Sequence, residues 1–90
     1  MMLMMPVRFD FQQGTWFNKE VITAAVNSTD TELELNFHQT IYVDSSALGL
    51  LLVLRDHLKK KNMTIRLFNC NPLVKNTFMI SAFYKLFDIK

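Results

Sequence analysis

The chain is short of the residues that several chemistries require. It has one cysteine, Cys70, so no intrachain disulfide can form, and nothing nearby in sequence activates that thiol. It has two glycines and two prolines. There is no phosphate-cradling glycine-rich loop and no Gly-x-Ser-x-Gly nucleophile elbow. Its two histidines, His38 and His57, are far apart and show no ligand spacing, so neither a metal site nor a cofactor is expected. His57 reads as packed at the margin of a helix core stripe. Asp44 and Asp56 are separated by about three helical turns and cannot flank one scissile bond. Trp16 and Tyr42 read as core or rim residues rather than a stacking platform. An enzyme is therefore not expected.

Charge of one sign is also lacking. Lys and Arg number 10 against 8 Asp and Glu, a net +2, which gives no reason to expect a nucleic-acid partner. The densest basic run, Lys59-Lys60-Lys61, falls at the end of a helical pattern, where cations complement the helix dipole. No apolar run reaches membrane-spanning length. The start, Met1-Met2-Leu3-Met4-Met5-Pro6, is apolar but too short for a signal peptide and is soon interrupted by Arg8 and Asp10. No membrane insertion and a cytoplasmic location are expected.

What is present suits one small core. Half of the 90 residues are hydrophobic and eight are Phe, a globular balance for a single domain over 1–90. A domain of this size buries only ~60–65% of its unfolded surface, so stability should be modest.

Periodicity orders the elements. Val7, Phe9 and Phe11 alternate with Arg8 and Asp10 across Pro6–Phe11, as in a half-buried strand. Gln12-Gln13-Gly14 reads as a turn, and Asn18 as the N-cap of a helix carrying Val21, Ile22, Ala25 and Val26. Leu33, Leu35 and Phe37 alternate in a second strand over Thr31–Phe37, and Ile41-Tyr42-Val43 is a short β-branched piece. Ser45–Lys61 carries the strongest helical pattern, Thr64–Phe68 is a third alternating strand, and Asn71-Pro72 opens a helix to about Ala82. Tyr84–Ile89 is a last strand or a packed tail. Alternating strands and helices predict an α/β fold with a sheet of about four strands, mostly parallel or mixed, covered by about three to four helices.

In the long helix Ala47, Leu50, Leu51, Leu54 and Leu58 share one face, the core contact. Leu48 and Leu52 lie off that stripe, with Arg55 and Lys59. They form either a small exposed apolar patch or a surface covered by a neighbouring helix. Asp44-Ser45-Ser46 sits at the strand-to-helix junction. Such residues cap a helix by default, and a serine there can also be exposed at the strand ends and accept a phosphoryl group.

The run Ile41-Tyr42-Val43-Asp44-Ser45-Ser46-Ala47-Leu48-Gly49-Leu50-Leu51-Leu52 resembles the signature of the STAS family: an apolar strand, then Asp-Ser-Ser/Thr-Gly-Leu-Gly and an apolar helix. Asn71–Phe78 and Ser81–Lys85 resemble its closing segment, in the right order and at the right separation. Ala47 and Ala82 stand where the family usually has Gly, and a positive φ at either would be costly. The N-terminal third matches poorly, with Gly14 the only trace of a Gly-Glu-Leu-Asp segment and one early strand missing. A sheet short on one edge leaves room for pairing with another chain, a weak homodimer.

The resemblance is to anti-sigma factor antagonists. It implies a partner-switching regulator of transcription that binds an anti-sigma factor with serine-kinase activity and is reset by a serine phosphatase. Phosphorylation would fall on Ser45, with Ser46 the second choice and better suited to capping. Asp44, Ser46, Leu48, Leu52 and Arg55 would contact the partner. An alternative within the fold is a non-phosphorylated STAS subunit of a lipid-transport ATP-binding-cassette complex.

Overall fold

The computed structural model describes residues 1–90. Six short strands and several helical segments make up the chain. The main sheet has the order β1-β3-β5-β6, formed by β1 (Met2–Met4), β3 (Glu32–Asn36), β5 (Thr64–Phe68) and β6 (Asp88–Ile89). A separate two-stranded ribbon joins β2 (Arg8–Phe9) to β4 (Tyr42–Val43). Every pairing is parallel, so the sheet is not mixed. The reason is topological. Each pair of neighbours in the main sheet is joined by a crossover containing helix, which returns the chain in the same direction.

The N-terminal third departs most from the periodicity. The first ladder strand is the Met-rich start, not Pro6–Phe11, of which only Arg8–Phe9 is extended. Met5 N–H donates to Asn36 O at 2.8 Å and closes β1, after which the Pro6 carbonyl accepts from Thr40 Oγ1 at 2.7 Å. The Asp10 carboxylate then accepts from Gln12 N–H at 3.0 Å and caps a helical segment over residues 11–26. The cap is therefore Asp10 and not Asn18, and Gln12-Gln13-Gly14 is helix rather than turn. The segment opens as a 3-10 turn (Phe11–Gln13), passes through α1 (Gly14–Trp16), widens to a π stretch (Phe17–Ile22) and closes as α2 (Thr23–Val26). This winding turns Phe17, Val21, Ile22 and Ala25 inward.

The remaining elements follow the sequence closely. α3 (Ser45–Leu58) runs on into a 3-10 turn at Lys59–Lys61, where Lys61 Nζ donates to the carbonyls of Val26 and Ser28. α4 (Pro72–Ile80) begins at Asn71, whose side chain accepts from Val74 N–H at 2.8 Å, with Pro72 just inside the helix. Of the expected core stripe, Ala47, Leu51, Leu54 and Leu58 are buried. Leu50 is only half-buried, and His57 is exposed rather than packed.

The core lies on one face of the sheet, against Leu33, Leu35, Ile65 and Leu67. Through it runs a continuous row of phenylalanines, Phe17, Phe9, Phe37, Phe78, Phe83 and Phe87, with successive ring centroids 5.4, 6.1, 5.4, 5.9 and 5.3 Å apart. Such aromatic pairs add ~0.5–1.5 kcal/mol each beyond area burial. Parallel sheets are usually covered on both faces. Here the second face carries Arg66, which bonds Asp88 at 3.1 Å and pairs with Glu32 at 3.1 Å and Glu34 at 3.6 Å. The bond to Asp88 and the neighbouring carboxylates hold the guanidinium above its ordinary value.

Asn62, Asn69 and Ala82 have positive φ. Asn tolerates that region. Ala82, at φ 59° and ψ 25° after α4, does not. Ala47 is in regular helix and carries no such cost.

Candidate functional site

The carboxyl ends of the strands are knitted together by side chains. Thr40, fully buried, donates from Oγ1 to Pro6 O at 2.7 Å. Asn71 Nδ2 donates to Thr40 O at 3.0 Å, and Gln39 Nε2 to Met5 O at 2.8 Å. Asn36 Oδ1 accepts from His38 N–H at 2.9 Å and from Asn69 Nδ2 at 3.2 Å. This end of an open α/β sheet is where such folds place their sites. The starts of α3 and α4 both lie on it.

The β2–β4 ribbon fixes how the chain enters α3. Ile41 N–H donates to Val7 O at 2.8 Å and Asp44 N–H to Phe9 O at 3.3 Å. The Arg8 guanidinium lies 4.4 Å from the centroid of the Tyr42 ring. Asp44 is extended, with φ −106° and ψ 178°. Its Oδ1 accepts from Ala47 N–H at 2.9 Å and its carbonyl from Leu48 N–H at 3.3 Å. The cap expected of Ser46 is thus made by Asp44. The carboxylate reaches the third helical N–H from outside the helix, which Ser46, already in the first turn, does not.

Ser45 and Ser46 are exposed, and neither hydroxyl makes a hydrogen bond within the chain. Leu52 is 42% exposed, one side of the pattern that the sequence left open. Leu48 is half-buried against the core. Arg55 is half-buried at the mouth of a cavity of 260 Å³ at the far end of α3, lined also by Leu58, Lys59, Met63, Ile65 and Leu86. At 100° per residue Ser45, Leu48, Leu52 and Arg55 share one side of α3, whereas Ser46 lies about 100° away from Ser45 on the opposite hand.

Three exposed apolar residues form a second feature, which the sequence did not mark as a surface. Ile41 (58% exposed), Tyr42 and Leu73 (68% exposed) line a shallow groove of 170 Å³ with Val43, Val74 and Thr77. Ile41-Tyr42-Val43 reads as a short β-branched piece with Tyr42 at the core or rim, and its ribbon is an outlying one. Leu73 follows a helix-starting proline and has nothing above it.

The other titratable groups offer little chemistry. Burial pushes the Cys70 thiol up to about 11, partly offset by Lys75, so it is a poor nucleophile. No three His, Cys, Asp or Glu side chains converge as a metal-ligand set. No helix is long and apolar enough to cross a membrane.

A family model for the STAS domain matches residues 1–90. The chain belongs to the STAS domain family. It is 40% identical over 82 residues to a STAS-domain-containing protein of Pseudomonas aeruginosa (strain UCBPP-PA14), spanning 91% of this chain and 79% of that relative. Among solved structures it matches a candidate anti-sigma factor antagonist of Thermotoga maritima, with a TM-score of 0.82 and 17% identity over 98% of this chain and 77% of the other. It also matches the anti-sigma factor antagonist SpoIIAA in its unphosphorylated form, with a TM-score of 0.82 and 21% identity over 99% and 77% of the two chains. The phosphorylated form from Bacillus aligns with a TM-score of 0.70 at 20% identity over 99% of this chain and 80% of that one. At these identities the structures share the STAS fold with this chain.

Proposed function

We propose that this STAS protein is an anti-sigma factor antagonist-like regulator. It binds an anti-sigma factor with serine-kinase activity through the start of α3 and is released when Ser45 is phosphorylated. The observation that carries the reading is the state of Ser45: an exposed hydroxyl with no partner in the chain, one residue beyond the capping Asp44 and flanked by exposed Leu52. The cap does not use the serine, so a kinase can take it without unmaking the helix. Ser46, equally exposed, is the second acceptor.

The switch is electrostatic. A phosphate adds about −1.5 to −2 charges. The N-terminus of α3 tolerates that charge, whereas a neighbouring carboxylate and an apolar partner surface do not. Burying the phosphate unpaired costs several kcal/mol, and ~5.5 kcal/mol moves a balance from 1:99 to 99:1. Unmodified protein sequesters the anti-sigma factor, the phosphorylated form lets it go, and a serine phosphatase resets the cycle. The protein acts by binding and not by catalysis.

The test is to isolate the protein from its native cell and map its phosphorylation by mass spectrometry, with Leu52→Asp run beside wild type as bait. Phosphate on Ser45, a kinase-fold partner on wild type and its loss from a Leu52→Asp chain that melts normally are the expected results. Capture of a transporter ATPase by both baits, with no phosphate, would instead support the lipid-transport subunit reading.

A further inference from the structure

The 260 Å³ cavity at the far end of α3 plays no part in the switch. Arg55, at its mouth, stands three turns beyond Ser45, about 15 Å along the helix axis at ~1.5 Å per residue. The end of α3 supplies one wall, the start of β5 a second, and Leu86 before β6 a third. The floor is apolar: Leu58, Met63 and Ile65 are buried, and Leu86 turns a partly exposed side chain over them.

The rim is polar, and its donors are idle. The Arg55 guanidinium is half-buried, yet it makes no hydrogen bond and no ion pair within the chain. The other arginines, Arg8 and Arg66, are both paired with carboxylates. Lys59, one turn beyond Arg55, lines the same cavity. Its carboxylate neighbour is Asp56 at 3.9 Å, an exposed pair of little strength. The Asn62 amide and the Thr64 hydroxyl beside them also lack a hydrogen bond within the chain. Asp88 brings the cavity's carboxylate, and it is already engaged, accepting from Arg66 Nε at 3.1 Å. The cavity therefore offers two cations free to bind and no free anion.

These groups specify a ligand. A guanidinium fork pairs bidentately with a carboxylate, and the ammonium of Lys59 adds a second positive charge within one turn. The apolar floor suits an aliphatic chain. The volume is just under the ~300–1,000 Å³ of sites for drug-sized ligands, and at ~30 Å³ per water-sized group it has room for about nine. The groove of Ile41, Tyr42 and Leu73 has no charged side chain in its lining and so no anchor for a charged head group.

We propose that this cavity binds a medium-chain carboxylate, its head on Arg55 and Lys59 and its tail of about eight carbons or fewer over Leu58, Met63, Ile65 and Leu86. A ligand of that size in an open cavity binds weakly, with a dissociation constant on the order of 0.1–1 mM. The site does not use the start of α3 and stands or falls independently of the switch.

Titration of the full chain with sodium octanoate, followed by amide NMR shifts, tests the proposal. Saturable shifts are expected within residues 58–65 and 86–88, around the cavity. Octan-1-ol, which keeps the tail and lacks the charge, should bind about tenfold more weakly, and acetate, which lacks the tail, should not saturate. Arg55→Gln should weaken octanoate about tenfold or more and leave octan-1-ol unchanged. Lys59→Gln, at an exposed position that the fold does not need, should weaken it severalfold in the same selective way. Absence of saturable shifts, shifts centred on Ile41, Tyr42 and Leu73, equal affinity for octanoate and octan-1-ol, or undiminished octanoate binding by both variants would overturn it.

Discussion

Replacing Asp44 separates the two roles that the junction assigns to it. Its carboxylate caps α3 through the 2.9 Å bond from Ala47 N–H, and its charge faces the positive end of the helix dipole. Asp44→Ala removes both. Loss of a cap costs ~1 kcal/mol and loss of a charge at that end ~0.3–1 kcal/mol, about 1.5 kcal/mol together. Asp44→Asn keeps an oxygen that caps as well and removes only the charge, so it should cost about 0.3–1 kcal/mol. In a domain of this size 1 kcal/mol moves the melting temperature by ~4–8 °C. Thermal unfolding followed by far-UV circular dichroism should therefore show a loss of about 6–12 °C for Ala and about half that or less for Asn. The bond from Asp44 N–H to Phe9 O is backbone and survives both changes. Equal melting temperatures for wild type and Asp44→Ala would refute the capping account. Equal losses for Ala and Asn would make the charge, and not the cap, the stabilising element.

Other outcomes follow from single residues. Ala82→Gly should stabilise the protein by about 0.5–1 kcal/mol, because relief of the left-handed strain at φ 59° exceeds the added chain entropy of glycine; a lower melting temperature contradicts this. Leu51→Ala, at a fully buried position of α3, should cost 2–5 kcal/mol in denaturant unfolding, and a loss under 1 kcal/mol would mean that the core stripe is misplaced. The Cys70 thiol, held at about 11 instead of 9.0, should be alkylated at pH 8 roughly a hundredfold more slowly in the native protein than in urea. Its native rate should keep rising with pH until about 11, whereas the unfolded chain levels off above about 9; native and unfolded profiles that coincide would show the thiol to be unburied.

The C-terminal two-thirds of the fold was legible because local signals and tertiary needs agree there. Thr64–Phe68 alternates and is a strand over those residues, and Asn71-Pro72 reads as a cap and is one. The N-terminal third was not, because its signals conflict. Met2–Met4 is too short and too uniform for alternation to show, and it becomes a strand only through its ladder to β3. Val7, Phe9 and Phe11 do alternate, yet Asp10 takes up the helix cap and leaves Phe11 exposed on the first turn. Val21, Ile22 and Ala25 showed the helix there, but not its earlier start at Phe11 or its π winding. At the junction, Asp44-Ser45-Ser46 marked the helix start, but which residue caps it depends on the backbone that the β2–β4 ribbon imposes on Asp44. The groove of Ile41, Tyr42 and Leu73 was hidden because apolar residues in a strand read as core.

The central claim is that a charge on Ser45 decides whether the partner stays bound. Tagged wild type, Ser45→Ala and Ser45→Asp are used as bait in the native cell, with mass spectrometry of bait and prey. The account predicts that Ser45→Ala holds a protein with a kinase-like ATP-binding fold and that Ser45→Asp loses it, while both variants melt as wild type does. The same prey on all three baits, or none on any, would contradict it.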